Sequence, residues 1–350
     1  MVRQALLLGL LIAVMLCPIP RRVSAAVDLE KLLRDYGRFS DSELAEVAAG
    51  KVAAKLLPTT DQRELAVIGI IRVDVVLSRF TQALRDIEGF KRSSEVLQIG
   101  KLSNPPNPRD LQRLTLEPSD VEALRGCRPG NCDVKLAASG IRRFGNEIDW
   151  ASPDYSDRAS DLFRSILLDY ASQYLARGNS ALIEYSDRSD VMRLEDEFKA
   201  LLSQSTYLDD LAPEFGKYLA AFPSGRPRGA ENFIYWSKES FGLKPVTSLT
   251  HVIIYQLAGE TGNVTLAASK QIYANHYFDA SLGLTFFFEH GSGSATPGSY
   301  LVYLNRSRVD ALRGGFSKLK RTIVASDLKG GLERNLRLAK RKLEANTPRR

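Results

Sequence analysis

Cysteine, histidine and tryptophan are scarce in this chain, with three Cys, three His and two Trp among 350 residues. So few cysteines exclude a disulfide-dense mini-scaffold and a cysteine-rich zinc protein. The three histidines, His251, His276 and His290, form no H-E-x-x-H or H-x-H pairing, so no metal site is expected. Walker A, G-x-S-x-G and dinucleotide-binding fingerprints are all missing, so motifs assign no cofactor and no reaction. No run reaches the roughly 18 apolar residues of a membrane span. Internal repeats and low-complexity blocks are also lacking.

What is present is ordinary globular material. A composition of 44% hydrophobic and 25% charged residues excludes a disordered or fibrous chain. Thirteen Tyr and 15 Phe supply a sizeable core. The first residues have the parts of a secretory signal: a basic start at Arg3, an apolar run from Ala5 to Leu16, and small residues at Ser24-Ala25-Ala26. Residues 1–25 are therefore expected to be a signal peptide cleaved near Ala25, giving a periplasmic or secreted protein. An uncleaved anchor is the alternative. Leu16 before Cys17 does not fit a lipobox.

Two cysteines then remain, Cys127 and Cys132, separated by Arg-Pro-Gly-Asn. Pro-Gly is a turn signal that brings the two ends together, and an oxidising compartment favours their disulfide. A redox pair or half a metal site are the rival readings, but the spacing is not C-x-x-C.

Charge is unevenly placed. The formal charge is +7, of which Arg3, Arg21 and Arg22 of the signal supply three. Between Arg306 and Arg350 there are 14 Lys or Arg against 4 Asp or Glu, a local charge of +10, so the remainder of the mature chain is acidic. A basic end suits an anionic membrane surface, or it is the solvated side of an amphipathic helix. Export argues against nucleic acid.

Hydrophobic periodicity divides the mature chain into parts. Residues 27–58 read as helices: Asp28 is positioned to cap the first, and 41–57 are Ala-rich. Leu65 to Val76 reads as a buried strand, Ser78 to Ile87 as a helix broken at Gly89, and Glu95 to Leu102 as a second strand. Residues 105–228 are mostly helical, the strongest segment being Asp157 to Arg177. After the Pro/Gly cluster 223–229 the period changes to two. Strands are expected at Phe233–Phe241, Leu249–Leu257, Val264–Phe278, Leu282–Phe288 and Tyr300–Leu304, with short turns that suit an antiparallel meander. Ser326 to Ala345 closes the chain as a helix with Leu328, Leu332, Leu336, Ala339 and Leu343 on one side.

An early strand, short helices, a second strand, an antiparallel meander and a long C-terminal helix resemble the helix-grip layout of the START/Bet v 1-like superfamily. The likeness rests on Val67-Ile68-Gly69-Ile70-Ile71-Arg72-Val73, the helix through Phe80 to Phe90, Glu95-Val96-Leu97-Gln98-Ile99, and residues 229–345. Residues 60–104 and 229–345 would form an α+β unit, with 105–228 as a large helical insertion or subdomain. The resemblance implies a cavity between sheet and C-terminal helix that holds an apolar or amphipathic, lipid-like ligand.

The densest polar-aromatic stretch is Ser269 to Asp279. On a strand, Lys270, Ile272, Ala274, His276 and Phe278 share one face, and Ser269, Gln271, Tyr273, Asn275 and Tyr277 the other. Lys270, Ile272, His276 and Phe278, with Trp236 and Tyr273, are the expected ligand-binding residues, Lys270 and His276 acting as polar anchors on an apolar wall. The bland alternative is that one face meets water. His251 fits a hydrogen-bonded structural histidine, and His290, before a Gly/Ser loop, an exposed one. Non-enzymatic ligand binding is the favoured function. The alternatives are a hydrolase or isomerase using His276 with Asp279 or a Tyr, and an envelope interaction protein docking through the basic C-terminal helix.

Overall fold

The computed structural model describes residues 28–240, 242–258, 263–290, 298–312 and 317–345. The expected signal segment lies outside the described residues. Asp28 accepts a hydrogen bond from the Glu30 amide and caps α1 (Leu29–Lys31). A reciprocal Ser40/Glu43 cap starts α2 (Asp41–Ala48). The helix expected to continue to residue 57 stops here, because Gly50 has a φ of +90°. The chain then forms β1 (Ala53–Leu56), which pairs with β2 (Glu64–Val73).

Next come α3 (Leu77–Arg85), α4 (Ile87–Lys91) and β3 (Val96–Lys101). The break between the two helices falls at Asp86 rather than at Gly89, and the Asp86 carboxylate accepts the Gly89 amide as an N-cap. A helical segment follows: α5 (Pro118–Gly126), α6 (Ala138–Glu147) and α7 (Tyr155–Arg177). After a ribbon of β4 (Glu184–Tyr185) and β5 (Met192–Arg193) come α8 (Leu194–Ser203), α9 (Tyr207–Leu211) and α10 (Pro213–Ala221). The meander is β6 (Glu231–Glu239), β7 (Val246–Ala258), β8 (Asn263–Ala274), β9 (Phe278–His290) and β10 (Gly298–Val309), closed by α11 (Ser317–Glu344).

The strands make one antiparallel sheet in the order β1-β2-β10-β9-β8-β7-β6-β3. The protein is thus α+β, with the expected large antiparallel sheet and long C-terminal helix. Both faces of the sheet are covered, which explains the nearly continuous Val/Ile run of β2. Ala66, Ile68 and Ile70 pack with the helical segment on one face, while Val67, Ile71 and Val73 pack with α3 and α11 on the other. On the face toward the helical layer, α7 buries Leu162, Phe163, Leu167, Ala171 and Tyr174, with Phe163 against Tyr273 and Tyr174 against His251 of the sheet. On the opposite face Leu332 and Leu336 lie directly over Gly69, where a Cβ would come within 2.9 Å of the first and 2.7 Å of the second.

The segment expected to be a single strand to Phe278 is two strands. β8 ends at Ala274, Asn275-His276-Tyr277 make the turn, and Phe278 begins β9. Tyr277 takes a φ of 61°, held by hydrogen bonds from the Asp310 amide to its carbonyl and from the Lys244 amide to its hydroxyl. An additional residue in β8, Ile272, bulges where β7 passes from Leu249 to Thr250, and its carbonyl accepts the Tyr170 hydroxyl at 2.7 Å.

Cys127 and Cys132 are joined by a disulfide with Cα atoms 4.6 Å apart. Gly130, at a φ of +91°, completes the turn between them. The Gly130 and Cys132 amides donate to the carbonyls of Ser186 and Asp187, so the closed loop braces the chain just after β4. Replacing both cysteines by serine should lower stability by about 2 kcal/mol, as expected for a short loop released in the unfolded chain. Urea unfolding of the oxidised protein and the double variant measures this.

Candidate functional site

In an antiparallel sheet, residues directly opposite one another on neighbouring strands share a face. The observed register therefore sorts the meander into two very different surfaces. The face toward the helical layer carries Ile234, Trp236, Leu249, Ile253, Leu266, Ala268, Leu282, Leu284, Phe286, Val302 and Leu304, all buried beneath it. The face toward α11 is mixed: Val252, Ile254, Ala267, Phe287 and Leu301 are buried on it beside polar side chains. Across its middle run Tyr235, Thr250, Gln271, Ser281 and Ser307 in one row and Val252, Ser269, Gly283 and Asn305 in the next.

α11 covers this face along β2 and β1, and α3 covers it at β8 and β9. Between them Ser269, Gln271, Ser281, Thr285, Tyr303 and Asn305 are half-buried, although they belong to interior strands of the sheet. Part of the row is internally satisfied. Ser281 and Ser307 hydroxyls lie 2.8 Å apart, Asn305 donates to Ser281 at 3.1 Å, and Ser307 donates back to Asn305 at 2.7 Å. Tyr303 lies across Gly283, where a Cβ would come within 2.7 Å of its hydroxyl. Burial raises the Tyr303 pKa, keeping it a neutral phenol. The side chains of Gln271, Ser269 and Thr285 have no hydrogen-bond partner among the described residues.

At the edge of the row Lys91 of α4 pairs with Glu239 at 2.8 Å and lies 5.4 Å from the centre of the Tyr235 ring. Burial opposes both charges, yet each raises the other's ionised fraction. Tyr235 and Glu239 hold the Lys91 pKa above the ordinary lysine range, and Lys91 with the Ser237 hydroxyl holds Glu239 below the ordinary carboxylate range. The two charges cancel, leaving an electrically neutral surface rich in hydroxyl and amide groups. Phe90, Ile99, Phe233 and Leu328, partly buried, form an apolar border.

The residues singled out by sequence lie elsewhere. Trp236, Lys270, Ile272 and Tyr273 face the helical layer, not α11. Trp236 donates its indole N–H to the Asp110 carbonyl at 2.8 Å, and Tyr273 donates to the Lys135 carbonyl at 3.0 Å. The Lys270 amine donates to Asn179 Oδ1 at 2.5 Å and sits 3.8 Å from the centre of the Phe198 ring. His276 is in the β8–β9 turn, so it shares no strand face with Lys270. Its Nε2 is 3.0 Å from Asp120 Oδ1, and Asn275 donates to the same carboxylate at 3.1 Å. The acid expected beside it, Asp279, is instead paired with Lys135 at 3.0 Å and Arg63 at 3.7 Å. Phe278 is half-buried at the start of β9. His251 is fully buried between the Tyr174 hydroxyl and Asn232 Oδ1, each at 2.9 Å, the arrangement of a structural histidine. The side chain of His290 lies outside the described residues.

The polar row was present in the sequence as the second strand face, in Ser269 and Gln271, and it recurs in Ser237, Thr250, Ser281, Thr285, Asn305 and Ser307 at alternate positions. That recurrence across five strands was the available signal. A scan against protein-family models finds none that matches, and comparison with curated proteins finds no similar sequence.

Burial lowers the His251 pKa to about 3, with the Lys270 charge adding to the effect, and burial pushes the Lys270 pKa well below its usual value. For each group the unfolded chain holds the proton more tightly. Stability is therefore fully present above the unfolded pKa and falls as pH drops toward the folded one. For Lys270 the window opens at about 10.5 and extends downward, and for His251 it runs from about 6.5 to about 3. The wild-type protein should lose stability relative to the Lys270→Met variant on titration downward from pH 10.5, because only the wild type carries the Lys270 linkage. Unfolding free energies at a series of pH values provide the check.

Proposed function

We propose that the protein is exported and binds an uncharged amphipathic molecule between the sheet and α11, without catalysis. The observation that carries this reading is the unpartnered amide of Gln271 beside Ser269 on a half-buried face of interior strands. A half-buried amide with no protein partner is available to hydrogen-bond a ligand that displaces water from the face. Neutral hydroxyl, amide and phenol groups with an apolar border suit a ligand having a hydroxyl or carbonyl at one end and hydrocarbon at the other. The cancelled Lys91–Glu239 pair favours an uncharged head over a free carboxylate. The Cys127–Cys132 disulfide supports export, since such bonds persist in oxidising compartments.

Protein delipidated and re-exposed to a total lipid extract should retain a neutral amphiphile detectable by native mass spectrometry. Gln271→Leu, which keeps the side-chain bulk and removes the amide, should weaken retention by about 1–3 kcal/mol. An empty protein, or retention that survives Gln271→Leu but is lost in Lys270→Met, would contradict the assignment.

A further inference from the structure

A second surface lies outside the polar row. Gly50, Lys51 and Val52, the approach to β1, face the last turns of α11 across an open groove of about 420 Å³. Its other lining residues are Ile71, Arg337, Lys340 and Arg341, so four cations surround an apolar floor of Val52 and Ile71, and no carboxylate lines it. Lys340 is anchored by the Arg72 carbonyl at 2.8 Å and by Glu344 at 2.6 Å. Arg337 and Lys51 make solvent-exposed pairs with Glu333 and Glu46, which contribute little and exchange readily. Arg341 is exposed and has no acidic partner among the described residues.

Lys342, in contrast, is committed to the fold: its amine caps α4 through the carbonyls of Gly89, Phe90 and Arg92. The basic end of the chain thus separates into cations that hold the helix down, Arg321, Lys340 and Lys342, and the outward Arg337 and Arg341. At the same end of the sheet Val76 is 57% exposed, close to Arg79, whose guanidinium donates to the Leu343 carbonyl at 3.4 Å. Outward cations at the groove and an exposed aliphatic residue at the same end of the sheet are the chemistry of a surface that meets lipid headgroups.

We propose that this groove receives the phosphodiester headgroup of an anionic phospholipid and docks the protein edge-on to an anionic bilayer. The inference is independent of what the polar row binds. The test uses the full mature chain and vesicles of phosphatidylglycerol with phosphatidylcholine, compared with phosphatidylcholine alone. Cosedimentation should occur with the anionic vesicles only, weaken with added salt, and persist in millimolar inorganic phosphate. Arg337→Gln with Arg341→Gln should weaken it roughly tenfold or more, since each cation removed costs about a several-fold loss at such a surface. Equal binding to neutral vesicles, loss to inorganic phosphate alone, or unchanged binding by the double variant with parental thermal unfolding would overturn the proposal. Should the double variant fail to fold, Lys51→Gln on the exposed loop before β1 is read in the same way.

Discussion

An antiparallel sheet with two faces must find two covers, and this constraint organises the molecule. The long helical segment between β3 and β6 supplies one cover, and α3 with α11 supplies the other. The face toward the helical layer is the apolar one. Each large aliphatic or aromatic side chain it buries is worth about 1.5–3 kcal/mol. With Trp236, Phe163, Tyr174, Phe286 and many Leu and Ile residues in one contiguous cluster, this face dominates the stability. The opposite face is covered by narrower elements and mixes polar side chains with apolar ones.

Charge plays a different part. At the end of the sheet where β2 begins and β10 ends, Glu64, Arg306, Arg308, Arg63, Glu197 and Asp279 form a largely buried ion-pair group between sheet and helical layer. Arg306 meets Glu64 at 2.5 Å and Arg308 meets Glu197 of α8 at 2.6 Å. Desolvation offsets most of the attraction in such pairs, so they contribute little net stability against an apolar alternative. They do penalise misplacement, because shifting the layer would strand a buried charge. Lys135, itself held by Asp279, carries this alignment toward the disulfide loop through the nearby Asp187. Apolar burial thus holds the layer on, and the ion pairs favour one position for it.

Much of the fold was legible in the sequence. The switch from a 3.6 to a 2.0 period near residue 229, the turn signals between strands, the apolar stripe of α11 and the Cys127–Cys132 pair all have local causes. The candidate site was less legible, for two physical reasons. Alternation along a strand gives two faces but not which cover each one receives, and with both faces covered the apolar side of Lys270 and Ile272 resembles a ligand wall. Parity also failed locally. The Ile272 bulge brings both Ile272 and Tyr273 into the core beneath the helical layer, and the Tyr277 turn removes His276 and Phe278 from β8. Strand propensity hides such a turn, because Tyr-Ala-Asn-His-Tyr-Phe reads as β throughout.

The central claim is the assignment of faces, and thiol labelling of two neighbours tests it most directly. Ser269→Cys and Lys270→Cys place one thiol on each side of β8 in a chain whose described cysteines are already joined. The account predicts that the first reacts with a small thiol reagent in the native protein and is protected when an amphiphile is bound. The second should react only as fast as the protein unfolds. Fast native labelling at position 270 with none at 269 would reverse the faces and contradict the account.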